Sequence, residues 1–285
     1  MKKILAIAVA TAISAPAMAD MTISGSTTFG WIGDSLNGEG FGTDGSSISV
    51  SGSEALENGL TFSGAFGFEN GAKGQEVAGT GSNMAVAGDF GTVKIVNGTY
   101  DPYTESFGTD NFAGEFGVES DPLTVISYTA PAMGPVTLVV DTSEGGVDAG
   151  AGAGAYDVQV TALVKAGAFS GRVAYKNYDS ADNRVRVGGS YDLGVAKVGA
   201  SFQMQDNAYD YTSYGVSVPM GATTIGLSAS KKEDTTATPA ADMSGTSLNV
   251  SHALSSNVTA AVQYDKYDTA TGENTRTKAL VTLAF

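Results

Sequence analysis

Apolar and polar side chains alternate with a period of two through most of the chain, in short segments bounded by Gly, Pro, Asn or Asp. That period puts one residue type on each face of a strand. Leu60, Phe62, Phe66 and Phe68 interleave with Thr61, Ser63, Ala65 and Gly67, and Ile48 and Val50 interleave with Ser47, Ser49 and Ser51. Near the end Ala279, Val281 and Leu283 alternate with Arg276, Lys278 and Thr282, Leu280 and Ala284 being exceptions, and the last residue is the aromatic Phe285. The pattern predicts sixteen strands, over 21–31, 46–54, 58–68, 82–89, 91–96, 123–130, 134–141, 155–165, 167–177, 183–192, 194–205, 211–219, 221–231, 244–254, 256–267 and 275–285. Connections alternate long and short, the short ones falling at 55–57, 90, 131–133, 166, 193, 220 and 255.

An even strand count with this rhythm predicts an all-β fold: a 16-stranded antiparallel transmembrane β-barrel with short periplasmic turns and long external loops. Alternation alone fits equally a soluble sandwich with its apolar face inward. Three features favour the barrel: the even count, the aromatic terminus and an export signal. Lys2 and Lys3 precede an apolar run over 4–15 and the small-x-small site Ala17-Met18-Ala19, so 1–19 reads as a cleaved signal peptide and 20–285 as the barrel. No other stretch approaches the ~18 consecutive apolar residues of a membrane helix, so spanning falls to strands. Phe29, Trp31, Tyr128, Tyr175, Tyr191, Tyr214, Tyr264 and Phe285 stand near strand ends, as aromatic girdles would.

Charge and composition narrow the function. The formal net charge is −15, and loss of Lys2 and Lys3 with the signal takes it to −17, which disfavours nucleic acid as a partner. With no cysteine there is neither a disulfide framework nor a thiolate metal site. His252 is the single histidine and shares a strand face with Leu248, Val250 and Leu254. No H-E-x-x-H, Walker loop or nucleotide fingerprint occurs, so no catalytic residue, enzyme activity or cofactor is expected.

Candidate chemistry lies in charged residues. The longest connection, 97–122, carries Asp101, Glu105, Asp110, Glu115, Glu119 and Asp121 and no base, with Phe107, Phe112 and Phe116 able to pack on a wall. It is expected to fold inward as a third loop and narrow a channel. Arg172 and Lys176 share one strand face, Arg184 and Arg186 another, and Lys197 follows on a third; Lys94, Arg276 and Lys278 complete the set. Apolar residues separate them, and a basic group on the lipid face costs ~2 to 4 kcal/mol at mid-depth, so all are expected to line the pore. Acids facing bases set up a transverse field that sorts ions by sign. Further acids, including Asp34, Glu39, Asp44, Glu69, Asp141, Glu144, Asp210, Glu233, Asp234, Asp268 and Glu273, are assigned to external loops. Calcium held there and bridging to lipopolysaccharide is a second use for them, although no EF-hand or nonapeptide repeat occurs.

Met21-Thr22-Ile23-Ser24-Gly25 after the signal, "NGLTFSGAF" over 58–66, "GDFGTVKI" over 88–95, "SYDLG" over 190–194 and the terminal Phe285 together resemble the Gram-negative general diffusion porins, most closely the sixteen-stranded alphaproteobacterial type. The resemblance spans the mature length. It implies a homotrimeric, water-filled channel in the outer membrane for passive diffusion of small hydrophilic solutes and ions, narrowed by 97–122. It also implies Phe285 as the assembly signal read by the barrel assembly machinery. Glu115-Phe116-Gly117 is similar to the core of the family's constriction-loop motif, without its preceding proline and second glycine. Inward positions of the early strands are mostly Ser and Thr, where many porins place arginines. From the net charge, a mild cation preference is expected. The alternative is a non-conducting barrel whose acidic loops serve adhesion or calcium binding.

Overall fold

Residues with alternating character pair edge to edge until the sheet meets itself. The computed structural model describes residues 20–71, 77–99, 122–144, 156–178, 183–235, 242–269 and 272–285. The strands are β1 (Asp20–Asp34), β2 (Gly38–Ala55), β3 (Thr61–Asn70), β4 (Ala78–Gly88), β5 (Gly91–Thr99), β6 (Pro122–Thr129), β7 (Val136–Glu144), β8 (Tyr156–Ala166), β9 (Phe169–Asn177), β10 (Arg184–Asp192), β11 (Lys197–Gln205), β12 (Tyr209–Met220), β13 (Thr223–Asp234), β14 (Met243–Ala253), β15 (Val258–Thr269) and β16 (Gly272–Ala284). Each pairs antiparallel with the next, and β16 pairs with β1 to close a sixteen-stranded barrel. The described residues contain no helix.

Which face turns inward separates a barrel of this kind from a sandwich. On β9 the inward Arg172, Ala174 and Lys176 are buried, while Val173 and Tyr175 are 51% and 46% exposed. The same inversion holds on β10 to β15: Ser190, Gln203, Ser213, Ser230, Ser247 and Asp265 are buried, and Val187, Phe202, Tyr214, Leu227, Leu248 and Val262 are exposed. Among the described residues Tyr209, Tyr211 and Tyr267 form a small buried cluster with Ala208 and Met243, and the paired Val96 and Val125 are buried on β5 and β6. An apolar exterior around a polar interior is stable only where the outside solvent is itself apolar.

The seven short connections fall where the alternation predicts them, within a few residues. The opposite end departs from expectation. Two connections there, expected to be long, are tight, 35–37 and 206–208, and β15 and β16 stay paired up to Thr269 and Gly272. The strands continue past the apolar band, and acids assigned to loops stand on strand ends instead: Asp34 on β1, Glu39 and Asp44 on β2, Glu69 on β3, Asp141 and Glu144 on β7, Asp210 on β12, Glu233 and Asp234 on β13, Asp268 on β15 and Glu273 on β16. Gly and Asp have low strand propensity, yet a paired neighbour overrides it. Asp34 also closes the first of these turns, its Oδ1 accepting from the amides of Leu36 (2.9 Å) and Asn37 (3.0 Å).

Closure is completed at the other rim. The amide of Gly25 donates to the Phe285 carbonyl (2.9 Å), and the Phe285 amide donates back to Gly25 (3.0 Å). The Phe285 ring lies over Gly25, where an added Cβ would meet ring atoms at 2.8 and 3.0 Å. Phe169 covers Gly171 and Gly189 in the same manner. In each case a glycine on the outer face gives an aromatic ring a flat seat near a strand end.

Gly25→Ala is expected to unseat Phe285 and lower barrel stability by about 1 to 3 kcal/mol, the usual cost of overpacking. A lower transition temperature of the folded band in heat-modified electrophoresis, with the exposed Gly79→Ala unaffected, checks this.

Candidate functional site

Inward-facing side chains from neighbouring strands meet at registered positions, so the inner wall is built row by row. Lys176 on β9 faces Arg184 on β10, and Arg172 faces Gly188. Arg186 lies opposite Ala174 on one side and Gln203 of β11 on the other. The Arg186 Nε donates to Gln203 Oε1, and Gln203 Nε2 donates to the Tyr209 hydroxyl (2.6 Å). Lys176 sits 3.5 Å from Asp157 and 4.2 Å from the Tyr178 ring centre, and the Arg184 guanidinium lies 5.4 Å from the same ring. The four bases are all buried.

A second network joins β14, β15, β16 and β1. Asp265 has no exposed surface and accepts from Arg276 Nε and Nη2 (both 3.0 Å), from Ser247 Oγ (2.6 Å) and from Gln263 Nε2 (2.8 and 2.9 Å). Lys278 donates to both oxygens of Asp44 (2.9 and 2.8 Å). Asn274 donates to the Tyr267 hydroxyl (2.8 Å) and to Asp34 (3.1 Å). Pairing of these carboxylates with Arg276, Lys278 and neutral donors offsets the cost of holding charge in the wall.

The remaining bases stand apart. Lys94 lies between Ala85 and Ser127 on β5 and is partly exposed. Lys197 faces Asp192 and Ser217 at the short-turn end, in the open. Asp101, Glu105, Asp110, Glu115, Glu119 and Asp121 lie outside the described residues. His252 is exposed at the short-turn end, with Nδ1 2.8 Å from Thr223 Oγ1. Among the described residues no group of three or more His, Cys, Asp or Glu is placed to hold a metal ion.

Four wall residues escaped the sequence reading. Asp157 and Asp265 alternate with outward valines and tyrosine, so parity already placed them on the inner face. Lys232 likewise follows Ser228 and Ser230 in parity, and its Nζ lies 4.8 Å from the Tyr209 ring centre. Asp44 carried no such signal, because the β1–β2 register shifts between Thr27 and Phe29 and the adjoining Gly45 has φ of +105°.

A sequence model of the Gram-negative porin family matches residues 6–272. The chain belongs to that family. Solved porins share the fold at low identity. A triple mutant of the Rhodopseudomonas blastica porin superposes with a TM-score of 0.70 at 15% identity, over 93% of this chain and 100% of that one. A second variant of that porin gives 0.68 at 16% identity over the same shares. The anion-selective porin from Comamonas acidovorans gives 0.74 at 15% identity, over 94% of this chain and 100% of that one. Among curated proteins none matches the sequence. As a Gram-negative porin, the protein is a channel of the outer membrane, and porins are not an enzyme family.

Asp265→Ala is expected to destabilise the porin by about 3 kcal/mol, since it leaves a guanidinium against the wall without its carboxylate. Arg276→Ala added to it should cost less than the sum of the two, a non-additivity measurable from urea unfolding midpoints in detergent micelles.

Proposed function

We propose that this porin passes small hydrophilic solutes and ions by passive diffusion with a mild preference for cations. The observation that carries the reading is a closed barrel whose inner wall is charged and hydroxylated while its outer wall is apolar. In this reading the segment 97–122 is the constriction, and its six carboxylates are set across the lumen from Lys94, Arg172, Lys176, Arg184, Arg186, Lys197, Arg276 and Lys278. The cation preference follows from the net charge and from the wall itself. Arg276, Lys278 and Lys176 each have a wall carboxylate beside them, which leaves dipoles rather than full positive charges at those positions. The fields of such pairs fall off faster with distance than that of an isolated charge.

The assembled channel is read as a homotrimer in contact with lipopolysaccharide, exported by the signal 1–19 and inserted by the assembly machinery through the strand ending in Phe285. The short connections then face the periplasm.

Reconstitution in a planar bilayer under a salt gradient tests the reading. Long-lived steps grouped in threes with a zero-current potential of cation sign are expected. A stably inserted but silent barrel would turn the assignment to adhesion or calcium capture. A potential of anion sign would overturn the selectivity alone. Replacing Glu115 and Glu119 by Gln is expected to lower the cation-to-anion permeability ratio by about fivefold, the effect of two charges together contributing about 1 kcal/mol in a wet, screened pore. An unchanged ratio would place those acids away from the ion path.

A further inference from the structure

We propose that Asp44 and Lys278 form an exchangeable ion site in the lumen, where a passing cation takes the place of the ammonium and Asp44 adds to the channel's preference for cations. The proposal rests on the channel reading above and deepens it by naming a wall residue that sorts ions.

The site originates in the register of β1 and β2. Thr27 faces Ser46 and Phe29 faces Thr43, so Asp44 and Gly45 together stand opposite Thr28 as a bulge. Gly45 adopts φ of +105°, a conformation that side-chain-bearing residues rarely take. The extra residue turns Asp44 to the inner face. On the other side of β1, Lys278 of β16 faces Ile32. The ion pair therefore crosses β1 diagonally, past Gly30, where an added Cβ would lie 2.0 Å from the Ala279 carbonyl oxygen. One bulge and one glycine bring together charges from strands that are not neighbours.

The three inward ion pairs differ in what holds them. The Asp265 side chain has no exposure and takes donors from Arg276, Ser247 and Gln263. Lys176 and Asp157 are 8% and 11% exposed. The Asp44 carboxylate is 24% exposed and Lys278 16%, and among the described residues Lys278 is the donor to both Asp44 oxygens. Ion pairs open to water are weakly held. The lysine ammonium rides on a flexible four-carbon stem, whereas Asp44 has a short side chain fixed to the wall. A hydrated potassium or sodium ion can thus displace the ammonium, which swings aside and returns when the ion leaves. The converse exchange is disfavoured, because an anion drawn to Lys278 would have the bare Asp44 carboxylate fixed beside it.

The experiment measures the zero-current potential of the purified protein in a planar bilayer under a potassium chloride gradient. Asp44→Asn is expected to lower the cation-to-anion permeability ratio about fivefold, since one negative charge is lost and one positive charge is left bare in a wet pore. Lys278→Gln should raise the ratio about twofold by leaving Asp44 bare, and Asp44→Glu should keep it near the wild-type value. Glu57→Gln removes the same charge as Asp44→Asn from an exposed short turn and should leave the potential unmoved. Shifts of opposite sign in Asp44→Asn and Lys278→Gln support the site, because a general loosening of the wall would move both the same way. Each variant is read separately, so either one tests the site if the other misfolds. Conducting variants whose ratio is unchanged, or moves against the stated direction, would overturn the proposal and leave the pair a structural link. A wild-type protein without conductance would instead count against the channel reading. An anion-sided wild-type potential with the opposite shifts intact would support the site and count against the net cation preference alone.

Discussion

Within a bilayer no water is available to an unpaired amide or carbonyl, so every strand of a membrane wall needs a neighbour on both sides. In this chain the condition is met only by pairing the first strand with the last. Nine registered positions from Ser26 to Asp34 on β1 meet Ala284 to Arg276 on β16, and the reciprocal bonds of Gly25 and Phe285 extend that ladder to the rim. The rest follows from this closure. Once the sheet is a cylinder, one face of every strand looks at lipid and the other at a shared interior, and the alternating sequence becomes an apolar coat around a polar lumen.

That interior does the work a hydrophobic core does elsewhere, by other means. Side chains such as Gln203, Asn274 and Asp265 have almost no exposed surface, yet they are held by hydrogen bonds rather than by apolar packing. Asp265 takes donors from β14, β15 and β16, tying three strands together at one level of the wall. In the function proposed above, the same arrangement governs ion passage. A base fixed beside its carboxylate acts on ions only at short range, so selectivity comes to depend on how charges are paired and not merely on how many there are.

The strand count, the order of the elements and the position of the seven short turns were legible because alternation is strongest where strands cross the apolar band. Legibility declined at the rim. There both faces of a strand meet water, so segments such as Gly38 to Asp44 have a loop's composition while backbone pairing keeps them extended. Inward bases were readable by parity, as Arg172 and Lys176 illustrate, and Asp157, Asp265 and Lys232 were open to the same reasoning. The pairing of Lys278 with Asp44 was not legible: it joins residues 234 positions apart across a register shift, and no local pattern encodes it. A bulge at Thr80 on β4 was hidden for a related reason, since one extra residue reverses the parity on which strand reading relies.

Closing the ring between residues as distant as Thr28 and Thr282, 254 positions apart, has a kinetic side. The conformational entropy of joining ends so far apart costs about 5 kcal/mol beyond a constant, and no earlier strand pair repays it for β1. Until β16 has been made, β1 presents one unpaired edge, a template for aggregation in any aqueous compartment it crosses. The order of synthesis thus makes the first strand the last to be satisfied, and the chain has to be kept apart from its own copies from the moment its N-terminal half emerges until its final residues arrive.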